Sequence, residues 1–178
     1  MNLLAELEQI LAPFWEQEMT FERNEFITTP GNTNTHMYFV LNGSLRVFIE
    51  DDVEEHTIRF GYKNSFITAL DSFLKDIPTI FYIQAIKKCQ LKVISKTNFL
   101  KCMYASSNNQ ALWTQLLQEF VFQQIEREND LIINAPQKRF ERVFKRSPHL
   151  FQEIPHKYIA SYLRMTPETL SRILKNLD

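Results

Sequence analysis

Glycine is scarce. The 178 residues contain only three, Gly31, Gly43 and Gly61, so a glycine-rich loop that cradles phosphates is excluded. Cysteine is scarcer still. Cys89 and Cys102 are too few for a disulfide framework or for a four-thiolate iron–sulfur cluster within one chain, and are expected to be reduced, partly buried thiols. Long apolar runs are absent, and the longest stretches fall far short of the ~20 residues that span a bilayer. The N-terminus, MNLLAELEQILAPFWEQE, carries acids rather than a basic start and an apolar block. It does not read as a signal peptide, which implies a soluble, cytoplasmic protein. The four histidines, His36, His56, His149 and His156, show no metal-ligand spacing, and no G-x-S-x-G or P-loop motif occurs.

Hydrophobic residues make up 44% of the chain and include 15 Phe, ample for a core. The net charge of −1 hides an asymmetry. From Gln137 onward there are nine Lys/Arg and four Asp/Glu, a local charge of +5, which leaves −6 for the remainder. A basic end on an acidic body suits a polyanionic partner at that end.

Three stretches follow along the chain. Residues 1–108 open with a short amphipathic helix that stops before Pro13. The apolar runs NEFITT, HMYFVLN, SLRVFIED, HTIRFG, IFYIQAI and QLKVIS then predict strands of a roll, sandwich or barrel. Asn42-Gly43 between two β-rich runs predicts a hairpin whose turn positions both need positive φ. A small helix over Lys96–Tyr104 closes this part. Residues 109–134 predict one long helix in which Leu112, Trp113, Leu116, Phe120 and Ile125 recur at three- and four-residue spacings. A helix this apolar in so small a chain is expected to pair two subunits. Ala135-Pro136 predicts a hinge, and residues 135–178 a basic helical domain.

The last 25 residues carry the sharpest pattern. Ile159, Ala160, Tyr162 and Leu163 mark one short helix, and Arg164-Met165-Thr166 a break. A second helix opens with Thr166 as N-cap and Pro167 in the first turn, where its missing N–H costs nothing. Leu170, Ile173, Leu174 and Leu177 share one face. Glu168, Thr169, Ser171, Arg172 and Lys175 are left for the other. This is the pattern of a helix-turn-helix, whose second helix fits a DNA major groove.

The order of parts resembles the Crp/Fnr family of bacterial transcription regulators. The features that carry this are the N-G-S-L-R-V strand pair, the long helix, A-P-Q-K-R-F, and above all I-A-S-Y-L followed by T-P-E-T-L-S-R. The resemblance covers essentially the whole chain. It implies an α+β fold: an antiparallel β-roll of the cyclic-nucleotide-binding type, a dimerisation helix and a helix-turn-helix; many relatives continue into a β-hairpin wing, which is expected to be short or absent here. It makes Thr166–Lys175 the recognition helix, with Glu168 and Arg172 as the base-reading pair. Some relatives place a further arginine where Pro167 stands here. Arg donates two parallel bonds to guanine, and Glu accepts from cytosine. At i, i+4, Glu168 is expected to hold the Arg172 guanidinium. Lys157, Thr166, Thr169, Ser171 and Lys175 suit phosphate contacts. The partners implied are double-stranded DNA, a second copy of the chain and RNA polymerase.

The effector region departs from the pattern. Cyclic-nucleotide binders of the family carry a Gly-Glu pair, whose Glu holds the ribose, and a later Arg for the phosphate. Between Arg59 and Arg127 there is no Arg, and the matching segment, NSFITALDSFL, has no Gly-Glu. Binding of cAMP or cGMP in the usual mode is therefore not expected. A different small-molecule effector would use Phe66, Ile67, Thr68, Thr79 and Ile80, and would re-aim the DNA-binding domains across the hinge. The rival readings are a constitutive DNA binder with a vestigial sensor, and a cupin-like enzyme with metal on His36 and His56 near Glu54 or Glu55.

Overall fold

The computed structural model describes residues 2–176; the expected helix position Leu177 lies outside them. Helix α1 (Leu3–Leu11) is capped by the Asn2 side chain, which accepts from the Leu4 N–H, and buries Leu7 and Leu11. A 3₁₀ turn (Ala12–Phe14) follows at Pro13. Eight strands come next, interrupted by α2 (Leu70–Lys75): β1 (Gln17–Phe21), β2 (Phe26–Thr28), β3 (Met37–Asn42), β4 (Ser44–Glu50), β5 (Glu55–Tyr62), β6 (Phe66–Ile67), β7 (Tyr82–Ala85) and β8 (Cys89–Ile94). They form two four-stranded sheets, ordered β1-β8-β3-β6 and β2-β7-β4-β5. Both β1 and β3 run antiparallel to β8. Alternate residues such as Leu91 and Val93 on β8, and Tyr38 and Val40 on β3, point into one apolar core with Leu45, Ile67 and Ile83.

The Asn42-Gly43 hairpin is not there. β3 pairs with β8 and β6, whereas β4 lies between β7 and β5 in the other sheet. The dipeptide is a corner at which the chain changes sheets. Only Gly43 has positive φ (85°), so the turn lacks the paired left-handed geometry that a type I′ hairpin requires. Glycine is needed for a second reason. A Cβ at Gly43 would sit 2.1 Å from the Lys88 carbonyl oxygen. Gly43→Ala is therefore expected to destabilise the roll by about 2–4 kcal/mol, combining left-handed strain with overpacking. A urea unfolding midpoint equal to that of the parent chain would refute this.

Both cysteines are free and buried. Burial pushes the Cys89 thiol up to about 11, so at pH 8 it is expected to resist iodoacetamide until the chain unfolds.

Helix α3 (Lys96–Met103) is capped by Ser95, whose side chain accepts from Asn98 N–H. Helix α4 (Ser107–Ile132) has 26 residues, or ~39 Å. Then come α5 (Pro136–Arg146), α6 (Pro148–Glu153), α7 (His156–Tyr162) and α8 (Pro167–Lys175). Ala135 is extended (φ −74°, ψ 113°) before Pro136, as the residue preceding proline should be, and separates α4 from α5. The chain divides into two compact units. One holds the residues up to Val47 and Phe60–Glu119; the other holds Phe48–Arg59 and the residues from Phe120. The division thus falls inside α4 rather than at residues 108 and 134. No helix among the described residues is long and apolar enough to cross a membrane.

Candidate nucleic-acid interface

Helix α8 forms because both of its ends and one face are provided for. Thr166 is extended, and its Oγ1 accepts from the Thr169 N–H at 3.2 Å. Pro167 occupies the first turn, and Leu170 and Ile173 are buried. The preceding break closes tightly: Leu163 is fully buried, Arg164 adopts left-handed φ (51°), and Met165 N–H bonds to the Ala160 carbonyl at 3.1 Å. A left-handed residue just past a helix end turns the chain sharply. Two short packed helices result, joined at a fixed angle.

Glu168, Ser171, Arg172 and Lys175 are all exposed, at positions that share one stripe of α8. Thr166 and Thr169 differ from this set. Their hydroxyls bond to each other at 3.1 Å, and Thr166 spends its oxygen on the cap. Lys157 lies on α7, its ammonium 4.5 Å from the Tyr158 ring centroid. The expected Glu168–Arg172 ion pair does not form; Arg172 instead reaches Thr169 Oγ1 at 3.5 Å. An exposed i, i+4 pair gains only ~0.3–0.5 kcal/mol, too little to hold two solvated side chains together. Both groups of α8 therefore remain available to a ligand.

The frame behind α8 is built from arginines that the sequence did not single out. Arg139, 7% exposed, donates through Nη1 to the Ile133 carbonyl (2.8 Å) and through Nη2 to the Arg164 carbonyl (2.9 Å), joining the end of α4 to the turn before α8. Asp130 is fully buried and receives Arg142 Nε at 2.8 Å and Arg146 Nη2 at 2.5 Å, so α5 is clamped to α4. Glu126 completes the cluster, 2.8 Å from Arg142 and 3.0 Å from Arg146. These contacts raise the Arg146 guanidinium above its ordinary value, the Asp130 hydrogen bond first. The start of β5 contributes as well: Ser161 Oγ donates to the Glu55 carbonyl at 2.9 Å and accepts from Thr57 N–H at 3.0 Å.

On α4, Leu112, Trp113, Leu116 and Phe120 are buried within their own chain. Trp113 meets Phe99 edge-on at 5.1 Å and Phe73 at 6.1 Å, and Phe120 lies under Arg59 at 5.0 Å. Of the five residues expected to pair subunits, only Ile125 is open, at 48% exposure. The exposed large apolar side chains of this helix are Val121, Phe122, Ile125, Leu131 and Ile132.

The expected effector residues do not share a cavity. Phe66 and Ile67 point to opposite sides of β6, Phe66 onto Trp15 and Phe39 and Ile67 into the core. Thr68 Oγ1 donates to the His36 carbonyl at 2.9 Å. Thr79 is 2% exposed and donates to Asp71 at 2.8 Å, and Ile80 is largely exposed. A cavity of about 500 Å³ does open in this unit, but Gln17, Thr28, Asn34, His36 and Tyr38 line it, whereas Phe66, Ile67, Thr68, Thr79 and Ile80 do not. Among the described residues no cluster of three His, Cys, Asp or Glu is placed to hold a metal ion. His56 is bonded to Asp51 and to Arg164.

Residues 18–106 match the cyclic nucleotide-binding domain family. No curated protein matches the sequence. Among solved structures, a CooA mutant from Carboxydothermus hydrogenoformans is similar, with TM-score 0.76 and 18% identity over 99% of this chain and 84% of that one. FixK2 from Bradyrhizobium japonicum gives 0.73 and 17% over 90% and 83%. The catabolite activator protein of Thermus thermophilus gives 0.60 and 18% over 99% and 86%. At these identities the likeness is one of fold.

Proposed function

Because the chain belongs to the cyclic nucleotide-binding domain family and has the build of a Crp/Fnr regulator along its length, we propose that it is a sequence-specific DNA-binding transcription regulator rather than an enzyme. The observation that carries this reading is the exposed stripe Glu168, Ser171, Arg172, Lys175 on a capped helix whose opposite face is buried. In a major groove Arg172 would read guanine and Glu168 cytosine. Ser171, Lys175 and Lys157 would hold phosphates. Thr166 would act through the cap it provides.

Binding of the purified chain to its own upstream DNA, titrated against salt, tests this. Arg172→Ala is expected to weaken specific binding about 5- to 150-fold, the equivalent of ~1–3 kcal/mol, and to leave non-specific binding nearly unchanged. Lys175→Ala is expected to weaken both and to lower the salt slope by about 1. Equal specificity in Arg172→Ala would overturn the assignment.

The regulator is proposed to act as a homodimer through α4. The seam we favour is Gln118, Phe122, Ile125, Asn129 and Ile132. All five are exposed and alternate by four and three residues, the spacing of a coiled-coil seam. Two recognition helices would then meet DNA about one turn apart, ~34 Å, on a pseudo-palindrome. RNA polymerase is the further partner that such a regulator would engage.

The β-roll is proposed not to take cAMP or cGMP in the usual way. Its core is filled by its own side chains, including Leu45 and Ile83, and no Lys or Arg lines the cavity beside Tyr38. In the segment after α2, Asp71 occupies the donors that an anion would need: it accepts from Thr79 Oγ1 at 2.8 Å and from Ile80 N–H at 3.0 Å. An internal carboxylate in that place repels a phosphate as well as replacing it. Millimolar cAMP is thus expected to leave the melting temperature unchanged; a saturable rise would refute this reading. The same filling favours, as a second reading, a DNA binder that needs no ligand in the roll.

A further inference from the structure

A buried guanidinium needs an anionic partner, and one in the second unit has none. Arg127 on α4 is 6% exposed. Its guanidinium carbon lies 3.8 Å from the Tyr162 ring centroid. Its one hydrogen bond, from Nη2 to the Thr57 carbonyl, is long at 3.4 Å, and Nη1 is buried without a partner. Thr57, 1% exposed, also buries an unpartnered Oγ1. Two residues further along β5, on the same side of the strand, Arg59 places its guanidinium over Phe120. Among the described residues neither arginine makes an ion pair. Asp130 attracts Arg127 at longer range, but its oxygens are engaged by Arg142 and Arg146. Arg139 and Arg164 add like charge to the same neighbourhood. Burial lowers both Arg59 and Arg127 below the ordinary arginine value, yet arginine does not escape by losing its proton. Such charges cost several kcal/mol in a protein interior unless an anion accompanies them.

We propose that Arg127, Arg59 and Thr57 form a binding site for a small oxyanion, a metabolite bearing a phosphate or carboxylate group, held beside Tyr162. Guanidinium groups supply paired donors with the geometry of such an anion, and the Thr57 hydroxyl supplies another. The tyrosine ring offers a flat apolar wall to whatever carries the charge. The site joins β5 and α4 to α7, the helix directly before the turn into α8. Thr57 and Ser161 are already bonded there, so an occupant would stiffen the support of α8. This site is separate from the roll interior and does not depend on α8 reading DNA.

Thermal unfolding of the full chain, without DNA, tests it. Inorganic phosphate and citrate are titrated in turn against chloride at constant ionic strength. At least one is expected to raise Tm saturably, by about 5 °C or more at a hundredfold excess over its half-saturating concentration. Arg127→Gln and Arg59→Gln are expected to abolish the rise, and Lys88→Gln, an exposed lysine of the other unit, to keep it. Arg59 is only partly buried, so Arg59→Gln serves where Arg127→Gln fails to fold. No saturable rise with either anion overturns the proposal, as does an unchanged rise in folded Arg59→Gln. Stabilisation by random-sequence duplex DNA alone also overturns it, assigning these arginines to the DNA backbone instead.

Discussion

Asp130→Ala is expected to destabilise the second unit by about 3–5 kcal/mol, a large share of the ~5–15 kcal/mol that holds a domain folded. The carboxylate is fully buried and receives Arg142 and Arg146 at once. Removing it leaves two guanidiniums with Glu126 alone to serve both. The value should fall toward the lower end, because Arg142 and Arg146 retain 37% and 29% side-chain exposure and water screens them. Asp130→Asn keeps the shape and one acceptor and is expected to lose less. Urea unfolding gives the magnitude. Hydrogen exchange gives the place: amides at the end of α4 and through α5 should lose protection while β3 and β8 keep theirs. A loss below 0.5 kcal/mol, or one spread evenly over both units, would show that the cluster does not hold α5 in place. DNA affinity should fall with the folded fraction of α8's support, without a change in which sequence is preferred.

What the sequence revealed, and what it withheld, follows from the range of the interactions concerned. Helix α8 was legible because its determinants are local: the Thr166 cap, Pro167, and Leu170 with Ile173 lie within eight residues of one another. The break at Ala135-Pro136 was legible for the same reason. The Asn42-Gly43 hairpin was misread because a positive-φ glycine between two β-rich runs serves a sheet-changing corner as well as a hairpin. Only the close approach of the Lys88 carbonyl, forty-five residues away, distinguishes them. Strand β1 escaped notice because four of its five residues are exposed, so no alternation shows. Strand β6 is two residues long. The arginine frame was illegible in principle. Arg139, Arg142 and Arg146 look like an ordinary basic face until the fold brings Asp130 and two backbone carbonyls to them. The expected effector residues do not meet in one cavity because the sequence does not tell which way each side chain turns; Thr79, for one, donates inward to Asp71.

Four of the five residues expected to pair subunits are covered by their own chain because α4 carries two apolar stripes, and whether the other stripe is the proposed seam can be tested by charge. Leu112, Trp113, Leu116 and Phe120 form the stripe its own chain covers. Phe122, Ile125 and Ile132 form the stripe left open, at 58%, 48% and 75% exposure. Exposed apolar side chains aligned along one helix mark an interaction face, and the polar Asn129 between Ile125 and Ile132 suits a seam that fixes register at some loss of stability. Phe122→Glu combined with Ile125→Glu is therefore expected to give a folded monomer by light scattering, with an unchanged roll. Its affinity for a two-half-site operator should fall by ~10²- to 10⁴-fold, the gain that linking two binding modules provides. Affinity for a single half-site should hold. Leu116→Glu is the opposing control. At 1% exposure it places an unpaired charge in the core and should unfold the first unit rather than dissociate a dimer. If instead Phe122→Glu with Ile125→Glu remains dimeric, the open stripe is not the seam. Asn129→Ile separates the seam's strength from its register: removing a buried polar pair should tighten association while admitting other alignments.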